Sequence, residues 1–152
     1  MAKLLHQIHY SASLNITPNE VIFLVILAAF AWTGRKKLPW LTMAYSIFLI
    51  LHITLFRRAP GYDENVHLTF RFFPNAGLWA GNLLNLILYV PFGWTTQKYL
   101  KGQKRKVIIV GLLLSVCCEG AQYITTRGCA DVNDMLFNTL GTAVGAWLAG
   151  LV

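Results

Sequence analysis

Five apolar stretches, separated by short polar segments, constrain the fold of this chain more than any other feature. A helix that crosses a bilayer needs about 17–25 predominantly apolar residues, and it satisfies its own backbone hydrogen bonds inside the hydrocarbon. The sequence therefore predicts an all-α, polytopic membrane bundle that forms a single transmembrane domain. The predicted transmembrane helices lie at about residues 18–34, 38–56, 78–99, 107–125 and 132–151.

The composition favours the same class of protein. Hydrophobic residues make up 56% of the chain and charged residues only 12%, whereas a soluble domain is about 25% charged. A net charge of +7 in a soluble chain would suggest nucleic acid, but most of the cations here lie in short loops. We therefore expect membrane lipids around the protein and no nucleic acid as a partner; the oligomeric state stays open.

The distribution of charge predicts how the chain crosses the membrane. The loops at 34–38 and 98–106 hold eight of the thirteen Lys and Arg residues and none of the six acids. Cytoplasmic loops of membrane proteins are enriched in Lys and Arg. With five spans, this predicts a multi-pass protein of the cell membrane with its N-terminus outside and its C-terminus in the cytoplasm.

The segment at residues 59–77 differs from the helices on either side of it. Val66 and Leu68 alternate there with His67 and Thr69, and a period of two is typical of an extended chain. We expect a partly extended loop on the outer side of the bundle. It either covers a site as a flap or rests on lipid headgroups, and the pattern fits both.

The last three predicted helices each carry a polar stripe. At about 100° per residue, the members of each stripe share one face of their helix. They are Asn82, Asn85, Tyr89 and Gly93 on the third helix, Ser115, Glu119, Gln122 and Thr126 on the fourth, and Asp131, Asp134, Asn138, Gly141 and Gly145 on the fifth. An ionisable group inside a span costs about 3 kcal/mol on insertion scales, so it is rarely there without a partner or a function.

The stripes also share a depth. Asn82, Glu119 and Asp134 lie within one to two turns of the predicted outer ends of their helices, which is about 5–10 Å at a rise of 1.5 Å per residue. We therefore expect the three polar faces to meet in one polar cavity in the outer leaflet.

Two sequence blocks in the C-terminal half carry a resemblance to a known family. "NLLNLILYVPFGW" (82–94) resembles an Asn-x-x-x-Phe-x-Pro-Phe-Gly helix of the VanZ-like membrane proteins. "SVCCEGAQYITTRGCADVNDMLFNTLGTAVG" (115–145) resembles that family's pattern of Glu-x-x-Gln, Arg, Asp-x-x-Asp and Asn-Thr-x-Gly-x-x-x-Gly. The resemblance implies a link to resistance against teicoplanin-type lipoglycopeptide antibiotics, which act at the cell envelope.

The polar residues of this region and its borders are the candidate site. The acids and Arg127 suit acid–base chemistry or the steadying of an anion, and the amides suit hydrogen bonding to a polar head group. The candidate catalytic residues are Glu119, Asp131, Asp134 and Arg127; the candidate substrate-binding residues are Arg58, His67, Asn82, Asn85, Gln122 and Asn138.

Three functions are compatible with such a site. The first is binding or modification of an amphiphilic cell-envelope molecule at the outer leaflet. The second is a membrane-embedded acid–base hydrolase or transferase that acts on a lipid-linked substrate. The third is an architectural protein in which the polar stripes and the Gly141 and Gly145 pair hold helices together. The sequence leaves open whether there is catalysis.

Charge balance among the acids allows two arrangements. Arg127 pairs with Asp131 or Glu119, or a divalent cation is held by Asp131, Asp134 and Glu119. No Asp-rich motif of a metalloenzyme is present, so we assign no metal ligands and no cofactor.

Three further features of the sequence have simple interpretations. His52 is expected to form an interhelical hydrogen bond rather than to catalyse a reaction. Arg57 and Arg58 either anchor the chain at the interface or turn toward the acids. Three cysteines are too few for a disulfide framework and are expected to be free thiols.

Overall fold

We describe a computed structural model of the chain over residues 17–34, 37–38, 40–57, 60–61, 66–68 and 76–151. These residues form helices, apart from two short strands and the connections between elements. The elements are α1 (Pro18–Gly34), α2 (Trp40–Leu51) with a π-helical turn (His52–Phe56), β1 (Val66–His67), α3 (Ala76–Tyr99), α4 (Lys104–Thr125), β2 (Ala130–Asp131) and α5 (Val132–Ala149). The predicted all-helical architecture is confirmed.

The start of α1 shows how local sequence sets an element boundary. Thr17 precedes Pro18, and its hydroxyl accepts the backbone N–H of Glu20 at 3.2 Å. The Thr17 carbonyl accepts the N–H of Val21 at 3.1 Å. A Ser or Thr cap followed by proline satisfies the first free N–H groups of a helix and fixes its direction, so α1 begins where the sequence predicts.

Helices α3 and α5 pack with their backbones in direct contact. A Cβ atom added at Gly141 would overlap the carbonyl of Leu86, and one added at Gly145 would overlap the carbonyl of Val90. A Cβ at Gly93 would meet the backbone of α5 in the same way. Small residues at a four-residue spacing allow this approach. The Gly141 and Gly145 face of α5 is therefore a helix-packing surface.

The surface of the bundle is apolar and much of its interior is polar. Large hydrophobic side chains such as Phe30 and Leu113 are 66% and 58% exposed. Buried polar residues cluster inside the bundle: Ser46, Asn82, Thr96, Gln97, Ser115, Glu119, Gln122, Asp131, Asn133, Asn138 and Thr142. A soluble domain mostly buries its Leu, Ile and Phe and exposes its Asn, Gln and Glu, so this arrangement is the reverse.

In the part of the chain that the structure describes, one helix, Lys104–Thr125, combines the length and the hydropathy that a bilayer span requires. Two shorter apolar helices occupy Pro18–Thr33 and Trp40–Phe56. Helices α3 and α5 contain many of the buried polar residues, and these lower the hydropathy of both helices.

The extended segment predicted near residues 59–77 meets the junction between α4 and α5. Strand β1 pairs in parallel with β2, with Val66 opposite Ala130 and His67 opposite Asp131. The backbone N–H of Gly61 also donates to the hydroxyl of Thr126 at 2.7 Å. The extended conformation is thus confirmed at residues 66–67, and residues 62–65 and 69–75 lie outside the described residues.

Candidate functional site

The centre of the candidate site is a contact between Glu119 on α4 and Asp131 at the start of α5. Oε2 of Glu119 accepts the backbone N–H of Asp131 at 3.1 Å. Glu119 is 3% exposed and Asp131 is 6% exposed. The carboxylate of Glu119 therefore meets the chain just before α5 begins, where His67 of β1 lies opposite in the parallel pair.

Asp131 caps α5. Its Oδ1 accepts the backbone N–H of Asn133 at 2.9 Å and the side-chain Nδ2 of the same residue at 2.8 Å. An Asp in this position satisfies one of the free N–H groups at a helix start and interacts favourably with the positive end of the helix dipole. Asp134 lies in the first turn of α5 and is half-buried. At least one of the predicted catalytic acids thus has a structural task.

Farther into the bundle, a second set of contacts joins α3, α4 and α5. Nδ2 of Asn138 donates to the hydroxyl of Ser115 at 2.9 Å. Tyr89 on α3 packs in the same buried cluster as Cys118 of α4, and its hydroxyl has no hydrogen-bond partner among the residues that the structure describes. Asn138, Ser115 and Tyr89 are each at most 2% exposed, so the three predicted polar stripes meet at this level.

Asn82 on α3 differs from Asn138 in its hydrogen bonding. The residue is fully buried, and neither Nδ2 nor Oδ1 of its side chain has a hydrogen-bond partner among the residues that the structure describes. A buried polar group left unsatisfied costs about 1–3 kcal/mol. Asn85, on the same predicted stripe, is only half-buried. Asn82 therefore offers both a donor and an acceptor inside the bundle.

The π-helical turn at His52–Phe56 supplies carbonyl groups to this region. Nε2 of Gln122 donates to the carbonyl of Thr54 at 3.1 Å, and a terminal guanidinium nitrogen of Arg127 donates to the carbonyl of Leu55 at 3.2 Å. A π-helical turn disrupts the regular pairing of a helix and is frequent at functional sites. No local signal in the sequence predicts this turn, since neither Gly nor Pro interrupts the stretch.

Glu20, an acid in the first turn of α1 that was not among the predicted site residues, ties α1 to the same turn. Its Oε1 lies 2.8 Å from Nε2 of His52 and 3.2 Å from Nε of Arg57. His52 thus forms the interhelical hydrogen bond that we expected. Arg57 contacts an acid on α1, and Arg58 lies outside the described residues.

Two cavities in the described part of the chain lie at opposite ends of the bundle. A small cleft of about 210 Å³ is lined by Leu55, Phe56, Thr125 and Arg127, beside the candidate site. A larger cavity of about 640 Å³ lies near the other ends of α1, α2 and α3. The sequence did not indicate this larger cavity.

A divalent cation held by Asp131, Asp134 and Glu119 was one of the two arrangements that the sequence allowed. No group of three His, Cys, Asp or Glu side chains converges as a ligand set anywhere in the described ranges. The geometry therefore offers no support for a cation held jointly by Asp131, Asp134 and Glu119. Cys117, Cys118 and Cys129 are free thiols.

The fold and the site together define a helical bundle with an apolar exterior and a buried polar centre formed by its last three helices. Comparison with protein families matches residues 20–152 to VanZ/LLP1. The chain belongs to this VanZ-like family, which associates it with antibiotic resistance at the level of the family. Comparison with curated proteins and with solved structures gives no match.

Proposed function

We propose that all five helices cross the cell membrane. The support for a multi-pass arrangement is the reversed distribution of polarity, because exposed side chains such as Phe30 and Leu113 gain favourable contacts in hydrocarbon and not in water. Helices α3 and α5 fall short of a span by hydropathy because of their polar residues, many of which are buried inside the bundle, where lipid does not reach them.

The orientation follows from the loop charges. The Lys and Arg residues of loops 34–38 and 98–106 favour the cytoplasmic side. The Glu119 and Asp131 contact then lies at the extracytoplasmic end, together with β1 and β2. The N-terminus is outside and the C-terminus inside.

The function that we propose is binding or modification of an amphiphilic cell-envelope molecule at this outer end, in support of resistance to lipoglycopeptides such as teicoplanin. The observation that carries the proposal is the fully buried Asn82, whose two amide atoms have no partner within the described part of the chain, in the same bundle interior as the linked polar groups of α4 and α5. An amide-rich or anionic head group would supply hydrogen bonds there, and its apolar tail would lie between helices.

Arg127 provides the charge for such a head group. It lines the cleft of about 210 Å³ with Leu55, Phe56 and Thr125. Sites for whole drug-sized ligands are about 300–1,000 Å³, so this cleft has room for a head group but not for a complete amphiphile. The rest of the molecule would lie against the exposed apolar surface.

The experiment compares teicoplanin resistance in cells that carry the wild-type chain, Asn82→Leu, Glu119→Gln or the control Tyr123→Phe. Tyr123 is on α4 but 53% exposed, so its variant tests whether any change on this helix has an effect. We expect resistance to fall for the first two variants at unchanged protein level and to persist in the control. Unchanged resistance in both site variants would contradict the proposal.

The architectural alternative has its own support in the hydrogen bond from Asn138 to Ser115 and in the backbone contact between α3 and α5. If the polar groups only hold helices together, Glu119→Gln lowers the amount of folded protein in the membrane, and resistance falls in proportion. Lipid analysis of cells with and without the wild-type chain then separates modification from binding, because only a chemical reaction changes the envelope lipids.

A further inference from the structure

We propose that the larger cavity, at the opposite end of the bundle from Glu119, binds an anionic phospholipid, with an acyl chain in the cavity and the phosphate at Lys98. The cavity measures about 640 Å³, which falls within the range of about 300–1,000 Å³ that is common for small-molecule sites. This inference uses the membrane location proposed above but shares no residue with the proposed outer site.

The position of the cavity follows from the direction of the helices. Its walls come from the C-terminal part of α1, the N-terminal part of α2 and the C-terminal part of α3, with Ala31, Tyr45 and Trp94 as one contributor from each. The Lys-rich connection between α3 and α4 begins at this same end. In a membrane, the cavity would therefore lie beside the basic interface.

Three of the hydroxyl groups that line the cavity already donate hydrogen bonds. The hydroxyls of Ser46 and Thr95 are 3.3 Å apart, and each donates to a carbonyl of its own helix. The Tyr45 hydroxyl donates to the carbonyl of Leu24 at 3.1 Å. Because these groups need no further hydrogen bond, the cavity suits an apolar chain better than a polar ligand.

Lys98 supplies a positive charge at the edge of this cavity. It is an exposed residue that lines the cavity, and its Nζ lies 5.8 Å from the centre of the Trp94 ring. The loop at 34–38 adds further cations and contains no acid. Such a surface attracts anionic lipid head groups, while aromatic residues settle at the level of the head groups. A phosphodiester with acyl chains matches both the charge and the apolar walls.

The test uses the purified full-length chain in detergent and native mass spectrometry with phosphatidylglycerol and phosphatidylcholine that carry the same acyl chains. We expect the wild type to bind phosphatidylglycerol about fivefold more tightly, as one additional charge contact implies. Lys98→Gln should abolish this preference by lowering phosphatidylglycerol binding far more than phosphatidylcholine binding, because the choline group of the second lipid already offsets its phosphate charge. Lys106→Gln is the matched control, because Lys106 is exposed on α4 and does not line the cavity.

A second pair of variants tests the cavity itself. Ala28→Phe places a phenyl ring in the cavity wall and should lower the binding of both lipids. Ala29→Phe is at an exposed position of the same helix and should bind both lipids as tightly as the wild type does. Equal binding of the two lipids by the wild type, or the same loss in Lys106→Gln as in Lys98→Gln, would overturn the inference. Circular dichroism checks the fold of each variant, and Lys98→Gln keeps the test decisive if Ala28→Phe does not fold.

The two proposals fail separately. Glu119→Gln should retain the preference for phosphatidylglycerol, because Glu119 does not line this cavity. If lipid preference is seen and resistance is unaffected by the outer-site variants, only the proposed function is wrong. If resistance depends on the outer site and no lipid preference is seen, only the lipid site is wrong.

Discussion

The backbone N–H of Asp131 donates to the carboxylate of Glu119 across 3.1 Å. A side chain near the end of α4 therefore holds the residue that immediately precedes α5. This single contact links two residues that the sequence places on different helices. It also brings the buried carboxylate to the level of the β1–β2 pair, where the extended segment crosses the helix ends.

Removal of the acceptor at position 119 should destabilise the junction. Glu119→Ala leaves the N–H of Asp131 buried without its acceptor, and we expect a loss of about 1–3 kcal/mol in the free energy of unfolding. Glu119→Gln keeps a carbonyl oxygen in the same place and should lose less. Thermal unfolding of the purified variants measures the difference, and an equal loss in both would contradict the role of this hydrogen bond.

The helix cap at Asp131 makes a separate prediction. Asp131→Ala should destabilise the first turn of α5 by about 1 kcal/mol, whereas Asp131→Asn retains an oxygen that can accept the N–H of Asn133. Hydrogen exchange of the amides in this turn is the measurement. Faster exchange in the Ala variant alone is expected; exchange that does not respond to either substitution would show that the cap is unimportant.

The glycine contacts between α3 and α5 can be tested with one added methyl group. Gly141→Ala forces the new Cβ into the carbonyl of Leu86, and overpacking of this kind costs about 1–3 kcal/mol. Gly81→Ala is the matched control, because a Cβ at Gly81 would have no neighbour within 4 Å among the described residues. The control should be neutral or slightly stabilising, since Ala favours a helix by about 0.5–1 kcal/mol over Gly. If the melting temperature fell as far in Gly81→Ala as in Gly141→Ala, the backbone contact between Gly141 and Leu86 would be refuted.

Glu20 and His52 should be energetically coupled across α1 and α2. Their side chains lie 2.8 Å apart and are 17% and 21% exposed, so solvent screens the pair only in part. A double-mutant cycle with Glu20→Gln and His52→Asn is expected to give a coupling energy of about 0.5–1.5 kcal/mol. A cycle between Glu20→Gln and Lys37→Gln serves as the control and should be additive.

Much of the fold follows from local patterns. The apolar stretches predict the helices to within a few residues at both ends, as for 18–34 and Pro18–Gly34. The predicted stripes also place Ser115, Glu119 and Asn138 on buried faces. These predictions succeed because helix period and capping depend on residues close together in the chain. The predicted topology in the membrane remains a prediction.

Other features depend on which elements meet, and the sequence alone does not contain that information in a readable form. Periodicity puts Asn82 and Asn85 on one stripe, but packing of α3 buries the first completely and the second only in part. Periodicity also predicts no partner for Glu20. The contacts of Glu20 with His52 and Arg57 form only when α1 packs on α2.

The sequence by itself determined the helices and the polar face of each of the last three, because these depend on spacing along one element. Only the tertiary structure decided that the π-helical turn offers its carbonyls to Gln122 and Arg127, that His67 pairs opposite Asp131, and that the larger cavity lies beside Lys98. Each of these requires two or more elements, distant in the chain, to pack at one particular rotation and depth.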